Sequence, residues 1–177
     1  SLSIGNKANK EWRMIGLKSE GLLRAIMNAL GSKEELFLKI EEQNIDYEGA
    51  TFQLNHHVYR TRMAKLTPKK KGYFVAVWEK DANGTNQAYR YEDSPDKLIV
   101  SVIDGEKCGQ FIFPKSALLT YGILKNATQK GKMAFRVYPS WVSDLNATAK
   151  KTQSWQSDYF IDGSKGFEVE KSKEMYF

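Results

Sequence analysis

Apolar positions in the first part of the chain recur at intervals of three and four. Leu22, Leu23, Ile26, Met27 and Leu30 fall on one stripe of a helix, and Gly31 stops it. Ser32 with Glu35 three residues later is a capping-box pattern. It predicts a second helix whose buried face is Leu36, Phe37 and Ile40. Residues 41–49 are polar, end in glycine and read as the turn out of the helical part. The period then changes to two. Residues 51–54 and 58–64 alternate as two strands of a hairpin joined through Asn55-His56-His57. On the second strand Val58, Arg60, Arg62 and Ala64 share one face, and Tyr59, Thr61 and Met63 share the other.

Thr67-Pro68-Lys69-Lys70-Lys71-Gly72 is a loop, and residues 73–78 form a nearly continuous apolar run, the pattern of a strand covered on both faces. Residues 81–97 are polar and irregular, with Asn83-Gly84 as a turn. Residues 98–103 are a second buried strand, which Asp104-Gly105 turns into an antiparallel neighbour at 110–113. Pro114 ends that strand, and residues 116–122 read as a short helix closed by glycine. A strand at 132–138 and a helix at 147–160 follow, the helix carrying Thr148, Thr152, Trp155 and Tyr159 at helical spacing. From Gly163 onward Lys and Glu dominate, so residues 163–177 read as a weakly ordered tail, and residues 1–9 as a remnant or a disordered stretch. Helices, then a mixed sheet, then a helix predict one α/β (α+β) domain over residues 1–177, a mixed β-sheet flanked by helices.

Composition narrows the function. Among 177 residues, 27 Lys and Arg against 21 Asp and Glu leave a net charge of +6, which favours phosphate-rich partners. The single cysteine, Cys108, excludes a disulfide scaffold and a multi-cysteine zinc site. No apolar run approaches the roughly 20 residues of a membrane span, so the expectation is a cytoplasmic protein without a membrane partner. Phosphate-loop, dinucleotide and nucleophile-elbow motifs do not occur, which removes NTPase, Rossmann oxidoreductase and serine-hydrolase readings.

The chemistry that remains is cationic and aromatic. Lys65, Lys69, Lys70 and Lys71 crowd one loop beside Arg60 and Arg62, a pattern suited to phosphate contact. Trp78 and Trp155 are candidate stacking platforms, and Gln153 and Gln156 lie on a helix face able to read base edges. His56 and His57 are adjacent in a turn, lack a third ligand at a recognisable spacing, and carry no metal assignment. Phosphodiester cleavage would need Mg2+ held by carboxylates with a lysine nearby. Glu48, Glu79, Asp93, Asp96 and Asp104 are the candidate acids, and Lys65, Lys80 and Lys115 the candidate lysines. No acidic-x-lysine triplet occurs on the strand after Pro95-Asp96, where the chain reads Gly109-Gln110-Phe111-Ile112.

Several stretches in order resemble the MepB family. They are Glu41-Glu42-Gln43 with Tyr47-Glu48, Phe52-Gln53-Leu54-Asn55, Ala64-Lys65-Leu66-Thr67-Pro68-Lys69-Lys70, Phe74-Val75-Ala76-Val77-Trp78, Gly109-Gln110-Phe111-Ile112-Phe113-Pro114-Lys115, Arg136-Val137-Tyr138-Pro139 with Trp141, and Thr152-Gln153 with Trp155-Gln156. The resemblance covers about residues 20–161 and implies a fold similar to the restriction endonucleases. In active nucleases of that fold the second and third strands supply an acid and then an acid-x-lysine. Here those strands offer Arg60, Arg62 and Lys65, then Trp78 and Lys80, with Glu48 as a lone acid. The expectation is a nucleic-acid-binding protein on a nuclease-like fold, a diverged nuclease of unusual or modified DNA. Glu48, Lys65 and Lys80 would be its catalytic candidates, and Arg60, Arg62, Lys69, Lys70, Trp78, Gln153, Trp155 and Gln156 its contacts. The alternative is a small-molecule (drug) binder or regulatory partner, since the family is named from a gene beside a multidrug efflux pump.

Overall fold

The computed structural model describes residues 17–177, so the reading of residues 1–9 lies outside the described residues. In chain order these residues form α1 (Lys18–Ala29), β1 (Lys39–Ile40), a 3-10 turn (Glu42–Tyr47), β2 (Ala50–Leu54), β3 (His57–Met63) and β4 (Lys65–Leu66). Then come β5 (Tyr73–Ala76), β6 (Trp78–Lys80), β7 (Asn86–Ala88), a 3-10 turn (Tyr91–Asp93), β8 (Lys97–Asp104), β9 (Lys107–Pro114) and α2 (Lys115–Thr120). The last elements are β10 (Ala134–Val137), α3 (Ala147–Gln156), a 3-10 turn (Ser157–Tyr159), β11 (Phe160–Asp162) and α4 (Val169–Tyr176).

Six strands make one mixed sheet in the order β1-β2-β3-β8-β9-β11. All its pairs are antiparallel except β3 with β8, where Arg60 lies beside Leu98 and Arg62 beside Val100. β4, β5 and β10 form a separate three-stranded sheet, and β6 and β7 form a hairpin. The alternation of residues 98–103 explains the layering. Ile99 enters a core with Leu23 and Ile26 of α1, Phe52, Tyr59 and Ile112. Leu98, Val100 and Val102 enter the opposite core with Phe111, Phe113, Tyr73, Val75, Phe135 and Val137. A mixed sheet is therefore covered by α1 and α4 on one face, and by the small sheet and α2 on the other.

Four expectations are corrected. The capping-box helix at Ser32 does not form: Ser32 Oγ instead accepts from the Glu34 amide at 3.2 Å, closing a local turn. Leu36 and Leu38 are buried at a spacing of two while Phe37 is 53% exposed, so this segment approaches the edge strand β1 in extended form. The run 73–78 is not one strand. It breaks at Val77, whose amide donates to Met133 O at 2.8 Å, and its halves enter different sheets. The region after Gly163 is not a loose tail, because α4 ends on Tyr176, which is fully buried. The Tyr176 hydroxyl donates to Gln110 Oε1 at 2.6 Å, and its carbonyl accepts from the Tyr59 hydroxyl at 2.7 Å. Burying a ring of this size is worth about 3 kcal/mol and pins the end of this charged helix to the sheet.

The hairpin of β2 and β3 is tighter than read. Only Asn55 and His56 form the turn, both at positive φ (52° and 68°), and His57 already pairs with Leu54. The polar stretch 41–49 is a 3-10 turn ended by Glu48 in the left-handed region (φ 52°).

Candidate functional site

Arg60 and Arg62 leave β3 on the face opposite α1, and both meet Glu41 from the segment before the 3-10 turn. Arg62 is 0% exposed. It donates to Glu41 Oε1 (2.8 Å), to the carbonyls of Ala76 and Thr61 (each 3.0 Å) and to the Tyr89 hydroxyl (2.6 Å). Arg60 donates through Nε to both Glu41 oxygens, at 3.0 and 3.2 Å, and its guanidinium lies 3.5 Å from the centre of the Tyr89 ring. Asn44 Nδ2 joins the cluster through the Trp78 carbonyl (2.8 Å) and the Tyr89 hydroxyl (3.3 Å). Burial pushes the Glu41 carboxyl up, but Arg62 and Arg60 more than offset this and hold it below its ordinary value. Gly49 packs against the cluster: a Cβ there would lie 2.9 Å from Arg62 Nη1 and 3.1 Å from Asn44 O. Arg62, expected to contact phosphate, is therefore seated inside, its guanidinium tying β3, the β5–β6 corner and residue 41 together.

The three catalytic candidates are placed apart in role. Glu48 accepts from the amides of Lys18 (3.2 Å) and Ser19 (2.8 Å) and from Ser19 Oγ (2.6 Å), so its carboxylate caps the start of α1. Lys65 is exposed with Nζ 4.9 Å from the Tyr47 ring centre. Lys80 bonds within its own hairpin, to Gly84 O (3.3 Å) and Asn86 Oδ1 (3.0 Å), and lies 5.7 Å from the half-buried ring of Trp78. The other candidate acids are also engaged. Glu79 accepts from Gln87, Asp93 pairs with Arg90, Asp96 accepts from the Val58 amide, and Asp104 accepts from the Tyr73 hydroxyl. Among the described residues no group of three His, Cys, Asp or Glu side chains gathers as a metal site.

A second region gathers cations at the surface. Lys69, Lys70 and Lys71, with Arg136 and Tyr138, face Asn146, Thr148 and Thr152 of α3 across an open groove of about 450 Å³. Two of the cations brace the walls. Lys71 Nζ donates to the carbonyls of Ser143 (2.9 Å) and Asp144 (3.1 Å), and Arg136 donates to Lys71 O (3.1 Å) and to Thr67 Oγ1. Lys69 and Lys70 are exposed beside them. Asn146 Oδ1 caps α3 by accepting from the Ala149 amide at 2.8 Å, and the positive end of that helix opens on the groove. Asp144 is the one acid in the lining.

The two glutamines build this groove. Gln153 Nε2 donates to Pro139 O (3.0 Å) and Val142 O (2.9 Å). Gln156 is 0% exposed, accepting from the Tyr138 amide (2.9 Å) and donating to Arg136 O (2.8 Å). Their amides are spent on backbone, so base reading by Gln156 is ruled out by burial. Trp155 is half-buried against Phe113 and stacks on Tyr121, with ring centres 4.1 Å apart and planes 7° from parallel. Glu41, Asn44, Arg136 and Tyr121 escaped the sequence reading of the site. Glu41 sits in what read as a plain turn, Arg136 is a lone cation in a strand, and Tyr121 stands outside any motif.

Comparisons with known proteins agree with the fold. The MepB-like family model matches residues 41–162. A solved structure described as the crystal structure of MepB is 46% identical, covers 82% of this chain and 97% of its own, and superposes with a TM-score of 0.73. The structure of a bacterial homing endonuclease aligns at 14% identity over 93% of this chain and 99% of its own, with a TM-score of 0.42, a likeness too loose to carry an argument. No curated protein matches the chain. With the family model spanning most of the sheet and nearly half of the residues shared with MepB over the matched region, this chain belongs to the MepB-like family.

Proposed function

We propose that this chain binds nucleic acid on the nuclease-like fold its family resemblance implies, gripping phosphates in the groove between the lysine loop and α3. The observation that carries the reading is the pairing of Lys69 and Lys70, exposed at the surface, with a rigid concave wall beside them. Lys71, Arg136 and the Gln153 amide fix that wall through backbone carbonyls, so the free ammonium groups sit on an ordered edge. Two exposed ammonium groups, the positive end of α3 and a net charge of +6 all favour a polyanion. Arg60 and Trp78 belong instead to the inner cluster, Arg60 through Glu41 and Tyr89 and Trp78 through its carbonyl to Asn44. Cleavage would have to draw on acids that are engaged elsewhere, Glu48 above all.

The drug-binding alternative finds no roomy apolar cavity among the described residues. The apolar one under Arg60, Tyr89, Leu118 and Leu124 has room for about 20 Å³, the space of a water molecule, far below the 300 Å³ or so of a drug-sized site. The larger concavities, about 770 Å³ beside Lys80, Arg90 and Asp93 and about 450 Å³ beside the lysine loop, are open and lined mainly by polar and charged residues. Fluorescence anisotropy of labelled DNA across a salt series tests the proposal. Affinity that falls linearly on a log–log plot, with a shallower slope for Lys69→Ala/Lys70→Ala, supports it. An unchanged slope in that double variant removes the groove, and salt-indifferent binding or none removes nucleic acid as the partner. A gel of the same samples with Mg2+ reports cleavage.

A further inference from the structure

Resting on that reading, we infer that the groove takes single-stranded rather than duplex nucleic acid, and that the Tyr121–Trp155 pair is its base-stacking platform. One stripe of α3 joins the groove to the aromatic pair. Thr148, Lys151, Thr152 and Trp155 are spaced by three and four residues and lie on one side of the helix. Thr148 and Thr152 line the basic groove at the helix start. Lys151 is exposed between them and the aromatic end. Trp155 lies about 10 Å further along the axis than Thr148, at a rise of 1.5 Å per residue.

At that end the stripe meets Tyr121, which follows α2. Tyr121 is 43% exposed, a large ring left at the surface, and its ring is parallel to Trp155 at 4.1 Å. Trp155 is anchored from behind by Phe113 and Tyr159. The pair is thus a held two-ring stack with one partner reaching solvent, and a third flat ring would extend it. A cationic groove that leads to such a stack fits a strand whose phosphates follow Lys69, Lys70 and Lys151 while one base continues the ring column. In a duplex the base faces are already covered by their neighbours, so only an unpaired base offers a face to Tyr121.

The test compares a labelled 15-residue oligothymidylate with a duplex of equal length across a salt series, using the full chain. The expected result is tighter binding of the single strand. Tyr121→Ala should weaken that binding by about 5- to 160-fold, the range of one base–aromatic stack, and leave the salt slope unchanged. Tyr121→Trp should restore it. Tyr121→Leu keeps apolar bulk without a flat ring and should lose affinity as Tyr121→Ala does, which separates stacking from a packing defect. Equal affinity for the two forms, or full affinity in Tyr121→Leu, overturns the platform while the salt-sensitive groove still stands. Loss of all salt-sensitive binding in the unaltered chain overturns the groove and the platform together.

Discussion

Arg60 and Arg62 turn inward from β3, whereas Lys69 and Lys70, a few residues further on, stay at the surface. The arginines share one carboxylate, Glu41, and Arg62 reaches three further acceptors in a space closed to water. A planar guanidinium with five fixed donors suits such a junction, and a flexible ammonium does not. The lysines flank a groove whose walls are tied by other residues, so their charge is left for an outside partner. One short stretch of chain therefore uses positive charge first to hold the fold and then to face outward. Counting cations along the sequence merges the two uses, and burial separates them.

The largest expected effect breaks the inner cluster. Glu41→Ala leaves Arg62 buried without its carboxylate and should cost about 3–5 kcal/mol in urea unfolding. Acid should act on the same contact. Because the folded Glu41 carboxyl titrates below its ordinary value of 4.5, its contribution is complete above pH 4.5 and is lost as pH falls through the lower folded value. Unfolding midpoints measured from pH 6 downward should show that loss in the unaltered chain and a flatter profile in Glu41→Gln. Gly49→Ala would push a methyl group against Arg62 Nη1 and the Asn44 carbonyl, and should cost about 1–3 kcal/mol by the same urea assay.

The outer cluster should respond in the opposite way. Lys69→Ala/Lys70→Ala should leave the unfolding free energy within about 0.5 kcal/mol while flattening the log–log salt slope for single-stranded DNA by about 1.4. The smallest effect belongs to Lys69→Arg/Lys70→Arg, which keeps the charge and should leave both stability and slope near their starting values. A double alanine variant that unfolds as readily as Glu41→Ala would erase the distinction between the two clusters.

Much of the architecture was legible from local pattern. The α1 stripe, the alternation through residues 98–103 and the Asp104-Gly105 turn each depend on neighbours a few residues away, and each is found in the fold. What failed depended on distant partners. Ser32 and Glu35 looked like a helix start, yet Leu36 and Leu38 gain more by alternating into the core. The Lys- and Glu-rich end looked loose because its anchor, Tyr176, finds Gln110 and Tyr59 far back in the chain. The candidate site divided on the same line. Lys69 and Lys70 were readable as an exposed basic loop, since nothing distant alters them. Arg62 was misplaced because its partners lie 14, 21 and 27 residues away. Glu48 read as free because the α1 amides that it caps lie about thirty residues earlier.

The hydrogen bonds of Gln156 have one more consequence. β10 is the outer strand of the three-stranded sheet, and its Arg136 carbonyl and the following Tyr138 amide face away from β5. Gln156 fills both with one side-chain amide, as a neighbouring strand's peptide group would. The margin where a second copy of the chain would otherwise add a strand is thereby closed from within, guarding this edge of the sheet against edge-to-edge aggregation.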